Sequence, residues 1–110
     1  MVNMMDLFGK LKEVQAKMKE VQERLALIRV EGESGAGMVK AVVNGQKQLL
    51  ELVIDDDLIK PEDKDMMKDL IVAAVNKAMN EADIVAKEEV RKSAGGVLPN
   101  IPGLDLSGLV

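Results

Sequence analysis

The segment around Ile28–Ile54 constrains the fold most strongly, because it carries three β-rich runs joined by residues that form turns. The runs are Leu27–Glu31, Met38–Asn44 and Gln48–Asp55. Asn44-Gly45 stands between two apolar runs, which is typical of a hairpin turn whose central residues have positive φ. The first connection, residues 32–37, holds three glycines, which also accept positive φ without steric cost. The segment therefore predicts a three-stranded antiparallel meander.

The second and third predicted strands carry apolar side chains on both faces. Val42 and Val43 are adjacent, and so are Leu49 and Leu50. An antiparallel sheet with one solvated face alternates apolar and polar residues instead. Two helices of one chain cannot cover both faces, so this pattern predicts a partner subunit.

A helix with a heptad pattern precedes the meander. From Met4 onward, apolar residues recur at alternating spacings of three and four, which is typical of a helix that packs lengthwise on another helix. Between Met4 and Ile28 this seam comprises Leu7, Leu11, Val14, Met18, Val21 and Leu25. We expect the seam to lie in the core or in a dimer contact.

A second amphipathic helix follows the meander. Pro61 suits a first helical position, and no Gly or Pro interrupts residues 62–94. The predicted class is therefore α+β, in the order helix, three strands, helix (α-β-β-β-α), over residues 1–94. Residues 95–110 contain Gly-Gly and two prolines, which predicts an extended C-terminal tail, either mobile or docked.

Composition excludes most catalytic chemistry. The chain has no Cys and no His, so a disulfide framework, a thiolate metal site and the commonest general base are missing. Asp55-Asp56-Asp57 lacks the alternating ligands of a calcium loop, and strand termination and capping explain it better. The glycines at residues 32–37 do not follow a phosphate-loop order. We expect no enzyme activity, catalytic residue, metal, cofactor or small-molecule substrate.

The N-terminus has neither a basic start nor a long apolar run, so we expect a cytoplasmic protein without membrane contact. The net charge is −4, and residues 55–110 carry twelve acidic against seven basic side chains. Polyanion binding would therefore need a local basic surface. Residues 10–19 hold four lysines and one acid. They form either a solvated helix face with favourable ion pairs or a surface that meets phosphates.

Three runs together resemble the YbaB/EbfC nucleoid-associated protein family. They are G-E-S-G-A-G-x-V at residues 32–39, D-L-x-x-A-A-x-N-x-A at residues 69–78, and Gly95-Gly96 with Ile101-Pro102-Gly103. The match spans nearly the whole chain. The resemblance implies a tweezer-like homodimer with protruding helical arms, which binds double-stranded DNA in the nucleoid and compacts or bridges it, with an effect on gene expression as a further expectation. It implies no catalysis.

The resemblance places the DNA contacts on the helical arms, and local charge then selects individual residues. They are Lys10, Lys12, Lys17, Lys19 and Arg24 on the first helix, as one basic stripe, and Lys87, Arg91 and Lys92 at the end of the second. No aromatic residues interleave with these cations, so we expect phosphate contacts with little sequence preference. The alternative is a protein-interaction scaffold that uses its heptad arms and has weak or no DNA affinity.

Overall fold

The computed structural model describes residues 4–94. Its elements are helix α1 (Met4–Leu27), strands β1 (Arg29–Ser34), β2 (Val39–Asn44) and β3 (Leu49–Ile54), 3-10 turns at Asp56–Leu58 and Pro61–Asp63, and helix α2 (Lys64–Ala94). The strands form an antiparallel sheet in the order β1-β2-β3. The predicted α-β-β-β-α class is therefore confirmed, while the predicted tail at residues 95–110 lies outside the described residues.

The first hairpin turns later than the sequence predicted. Gly32 lies inside β1, and the positive φ angles fall on Gly35, Ala36 and Gly37. The reason for Gly32 is packing: a Cβ at this position would stand 2.5 Å from both the carbonyl oxygen of Ala74 and the nitrogen of Ala78. Glycine here lets the backbone of β1 touch the backbone of α2.

The second hairpin is not the predicted two-residue turn with positive φ at Asn44-Gly45. Positive φ occurs instead at Lys47, and the Lys47 N–H donates to the Asn44 carbonyl at 3.0 Å. The Asn44 side-chain oxygen accepts from the N–H groups of Gln46 and Gln48. This is a three-residue loop in which a left-handed residue follows a tight turn. Gly45 is required by contact, because a Cβ there would stand 2.8 Å from the Leu25 carbonyl oxygen.

The main core lies between α2 and the first two strands. It consists of Val39, Ala41, Val43, Leu58, Ala74, Ala78 and Ala82, all fully buried. The three members from α2 are all alanines, which permits the close approach already seen at Gly32. Strand β3 forms the uncovered edge of the sheet, and its exposed apolar side chains are Leu49, Leu50, Leu52 and Val53.

The opposite face of the sheet is covered partly by its own ion pairs. Val42 is only 3% exposed although α2 packs on the other face. Arg29 of β1 reaches across β2 to Glu51 of β3 at 3.3 Å, and Lys40 pairs with Glu31 at 3.9 Å. Val42 is therefore buried within the single chain. Among the apolar side chains of the sheet that led us to predict a partner subunit, those that remain exposed lie on β3.

The seam of α1 is divided into a packed and an unpacked part. Val21 and Leu25 are buried against Ala86 and Val90 of α2, with Met18 beside them. Every side chain from Met4 to Glu13 is exposed. We call residues 4–17, which precede this contact, the arm. The described chain measures 71 × 25 × 16 Å with a radius of gyration of 19.4 Å, against about 13 Å for a compact domain of 100 residues.

Candidate nucleic-acid interface

The five basic residues selected on α1 do not share one face of the helix. Residues two apart on an α-helix point in nearly opposite directions, whereas residues seven apart share a face. Lys10, Lys17 and Arg24 therefore lie on one side, and Lys12 and Lys19 on the other. The expected single basic stripe consists of two rows, and the two rows differ in their neighbours.

The first row alternates basic and acidic residues, and we call it the paired row. Its members are Lys10, Glu13, Lys17, Glu20 and Arg24. The Lys17 ammonium lies 3.7 Å from Glu20, and the Arg24 Nε lies 3.6 Å from Glu89 of α2. Arg24 also donates to the Ser93 hydroxyl. The paired row is thus largely neutralised, and its last cation joins α1 to α2.

The second row contains no carboxylate, and we call it the acid-free row. Its members are Lys12, Gln15, Lys19 and Gln22, at helical spacings of three and four. The ion pairs found among residues 4–94 involve neither Lys12 nor Lys19. Glu23 lies four residues beyond Lys19, on the flank of the row. Lys10 is also absent from these ion pairs, so two of the three cations of α1 that are outside them lie on this side.

The acid-free row leads directly to the second hairpin. The Gln46 side chain donates to the Gln22 carbonyl oxygen at 2.9 Å, and the Gly45 N–H donates to the Leu25 carbonyl oxygen at 2.8 Å. Both bonds fix the loop against α1. The residue at the end of this loop, Lys47, is thereby held at the junction of α1, the sheet and α2.

Lys47 and Lys87 share one carboxylate there. The Lys47 Nζ lies 2.8 Å from Asp83 Oδ1, and the Lys87 Nζ lies 2.9 Å from Asp83 Oδ2. Hydrogen bonds from Lys47 and then Lys87 hold the pKa of Asp83 below its usual value, against a smaller effect of desolvation. We call these three residues the junction triad. Two ammonium groups against one carboxylate leave it with a net positive charge.

The remaining cations selected on α2 lie in its last turns. Arg91 makes a two-point contact with Glu88, with nitrogen–oxygen distances of 2.6 and 3.1 Å. This hydrogen bonding lowers the pKa of Glu88 and raises that of Arg91. Lys92 is exposed. Of the three cations selected on α2, Lys87 and Arg91 thus pair with carboxylates of the same helix.

The acidic run after β3 has a structural role. The Asp55 carboxylate accepts from the Asp57 N–H at 2.9 Å and caps the first 3-10 turn. Residues 4–94 contain no group of three or more potential carboxylate ligands placed to hold a metal ion. Within the same residues, no helix is both long and apolar enough to cross a membrane.

Sequence reasoning missed Lys47. It stands alone among the amides Gln46 and Gln48, outside any basic run. Only the docking of the hairpin between the two helices brings it to Asp83 and Lys87. The one signal in the sequence was that Lys47 lies beside Asn44-Gly45, where a tight turn was predicted.

The comparisons with known proteins agree with the fold. Residues 1–97 match the YbaB/EbfC DNA-binding family. A nucleoid-associated protein of Chlorobaculum parvum is 48% identical over 98 residues, covering 89% of this chain and 86% of that protein. A second one, of Syntrophobacter fumaroxidans, is 46% identical over 99 residues, covering 90% and 88%. The crystal structure of an uncharacterized protein from Helicobacter pylori superposes with a TM-score of 0.71 at 28% identity, covering 87% of this chain and 96% of that one.

These matches define a class of nucleoid-associated DNA-binding proteins, which is not an enzyme class. The chain belongs to the YbaB/EbfC DNA-binding family. The family resemblance inferred from the glycine-rich turn and the alanine-rich helix is therefore confirmed.

Proposed function

We propose that the chain acts as a homodimer that binds double-stranded DNA in the cytoplasmic nucleoid, chiefly through phosphates and with little sequence preference, and that it compacts or bridges the DNA. Family membership supports the DNA partner. The main observation in favour of a homodimer is the row of exposed apolar side chains on β3, which a second copy of the chain could cover. The projecting arm gives each copy a surface that can reach a duplex away from the dimer contact.

The dimer contact lies on β3. This strand is at the edge of the sheet, where backbone groups remain available for pairing with another chain. Leu49, Leu50, Leu52 and Val53 are between 38% and 47% exposed on it. Exposed apolar surface of this kind marks interaction sites. A two-fold axis through β3 buries the same strand from both copies and leaves both arms free to hold separate stretches of DNA.

Phosphate recognition follows from the residue types. The basic residues of α1 and α2 have one aromatic residue near them in the sequence, Phe8, so base stacking contributes little. Lysine ammonium groups are flexible point charges that position a protein on DNA without reading bases. Because the chain has a net charge of −4, binding depends on the local basic rows and not on the overall field.

The dimer is tested by light scattering on two double variants that make the same chemical change. Leu50→Asp with Val53→Asp places charges on β3, and we expect a monomer mass. Val72→Asp with Ile84→Asp alters apolar residues of α2 that are 58% and 61% exposed, and we expect a dimer mass, as for the wild type. A monomeric wild-type protein at micromolar concentration would refute the homodimer.

DNA binding is tested by mobility-shift titration of two duplexes of unrelated sequence at low and physiological salt. Each neutralised phosphate contributes about −0.9 to the slope of log affinity against log salt. We therefore expect both duplexes to bind alike and both affinities to fall steeply with salt. A large difference between the duplexes, with a shallow salt slope, would contradict phosphate recognition.

The second candidate function is a protein-interaction scaffold, and the exposed apolar arm favours it. Met4, Leu7, Phe8 and Leu11 are each at least 50% exposed and lie on a helix suited to pairing with another helix. A wild-type dimer that failed to shift either duplex at low salt would make this scaffold the better account. DNA binding that survives Leu7→Asp with Leu11→Asp would show that the apolar arm is dispensable for the DNA function.

A further inference from the structure

The two basic rows of α1 offer a phosphate group very different surroundings. Residues three or four apart on a helix are neighbours. Lys10 has Asp6 and Glu13 at such positions, and Lys17 has Glu13 and Glu20. Lys12 has no carboxylate at these spacings, and Lys19 has only Glu23. A phosphate approaching the paired row meets as many carboxylates as ammonium groups, whereas the acid-free row presents its cations with less repulsion.

The acid-free row also continues beyond α1. Lys12 and Lys19 are seven residues apart, or about 10 Å along the helix, and Gln22 lies one turn further. The hydrogen bond from Gln46 to the Gln22 carbonyl oxygen joins the end of the row to the hairpin that carries Lys47. A line of cations therefore runs from the arm into the body of the molecule.

Lys47 is held in place for a contact at the end of that line. Its loop is fixed by bonds to Leu25 and Gln22 of α1, and its ammonium by Asp83. An ammonium has three donors, and Asp83 accepts from Lys47 with one oxygen. The Lys47 side chain is 39% exposed, so it is partly open to solvent. A contact fixed before binding costs less conformational entropy than a free surface lysine.

We propose that the sugar-phosphate backbone of duplex DNA lies along the acid-free row, on Lys12 and Lys19, and reaches Lys47 of the junction triad at the base of the arm. The paired row, with Lys10, Lys17 and Arg24, faces away from the DNA and serves the helix and its contact with α2. This inference rests on the proposed DNA-binding function and assigns that function to one flank of the molecule.

The two rows provide a matched pair of variants. Lys12→Gln with Lys19→Gln and Lys10→Gln with Lys17→Gln remove the same charge from the same helix, and Gln and Lys have similar helix propensity. Affinity for one duplex is measured by fluorescence anisotropy at several salt concentrations. Losing one phosphate contact should lower affinity roughly eightfold at 0.1 M salt and reduce the salt slope by about 0.9. The first variant removes two such contacts from each copy, so we expect a loss of roughly sixtyfold and a slope smaller by about 1.8, against a loss of less than about threefold for the second variant.

Lys47 is tested against Lys68, an exposed lysine on α2 that has Asp65 and Asp69 near it in the sequence. Lys47→Gln should weaken binding and flatten the salt slope, Lys47→Arg should retain most of the affinity, and Lys68→Gln should match the wild type. Circular dichroism melting identifies any variant that fails to fold. If Lys47→Gln fails to fold, the test rests on Lys47→Arg, which conserves the charge and should retain the affinity.

The outcomes separate this inference from the function on which it rests. A wild-type protein that binds no duplex removes the DNA-binding function and the inference together. Wild-type binding that is weakened more by the Lys10 and Lys17 changes than by the Lys12 and Lys19 changes overturns the assigned flank and leaves the function standing. Lys47→Gln indistinguishable from Lys68→Gln overturns the contact at the junction triad.

Discussion

Gly32 of β1 lies so close to Ala78 of α2 that a Cβ on the glycine would stand 2.5 Å from the Ala78 nitrogen. The same Cβ would stand 2.5 Å from the Ala74 carbonyl oxygen. Both opposing atoms belong to the helix backbone, so no side-chain rotation relieves the overlap. This contact sets the distance between α2 and the sheet, and the fully buried alanines of α2 preserve it along the helix.

Gly32→Ala should therefore destabilise the fold, because α2 must move away from β1 to admit one methyl group. Overpacking of this kind costs about 1–3 kcal/mol. Gly9→Ala is the control, since a Cβ at Gly9 meets nothing within 4 Å and alanine favours an exposed helix. Urea denaturation should show a lower free energy of unfolding for the first variant and an equal or higher one for the second. Equal stability of both variants would contradict the close packing.

Gly45→Ala tests the other close approach. Its Cβ would stand 3.0 Å from the Leu25 Cα and 2.8 Å from the Leu25 carbonyl oxygen, which accepts the hydrogen bond of the residue 45 N–H. The hairpin should shift away from α1 and weaken that bond. We expect a loss of about 1–3 kcal/mol in stability and faster hydrogen exchange of the residue 45 amide. Unchanged exchange would show that the loop yields without losing its contact with α1.

The two parts of the α1 seam should respond differently to charge. Val21 is fully buried against α2, so Val21→Asp buries a carboxylate and should lower the melting temperature strongly. Leu7 is 50% exposed, so Leu7→Asp should lower it little. Thermal melting monitored by circular dichroism makes the comparison. A Leu7→Asp variant as unstable as Val21→Asp would mean that another helix covers the arm in solution, as the predicted dimer seam requires.

Sequence periodicity was sufficient for the order and type of the elements. The heptad spacing predicted α1, whereas Pro61, which we expected as the first residue of the second helix, opens a 3-10 turn, and α2 begins at Lys64. The hairpin details were not accessible, because a glycine that bends the chain and a glycine that admits a neighbour look alike in sequence. Gly32 and Gly45 were both assigned to turns with positive φ, and both serve close contacts with helices distant in sequence.

Prediction of the candidate site from the sequence was limited in the same way. Counting lysines between residues 10 and 19 identified a basic region but not its division into two rows, which depends on angle around the helix. The length of the packed part of the seam could not be predicted, because it depends on which residues of α1 contact the last turns of α2. Lys47 reaches Asp83 only through tertiary docking of the hairpin. Each missed feature depends on which element packs against which.

The junction triad predicts a pH dependence of stability. Lys47 and Lys87 hold the pKa of Asp83 below its ordinary value of 3.8, so the folded state binds this proton less readily than the unfolded state. The stability contributed by the triad is then fully present above pH 3.8 and is lost as the pH falls through the lower folded-state pKa. The difference in unfolding free energy between wild type and Asp83→Asn should stay constant from about pH 5 to 8 and shrink below about pH 4.

Urea denaturation across this pH range measures that difference, and added salt should reduce it because the triad is partly exposed. Asp83→Asn removes the carboxylate that Lys47 and Lys87 share, while it leaves the shape of the side chain unchanged. A difference in stability that grew on acidification would mean that the carboxylate of Asp83 destabilises the fold, and the pairing of both lysines with Asp83 would have to be abandoned.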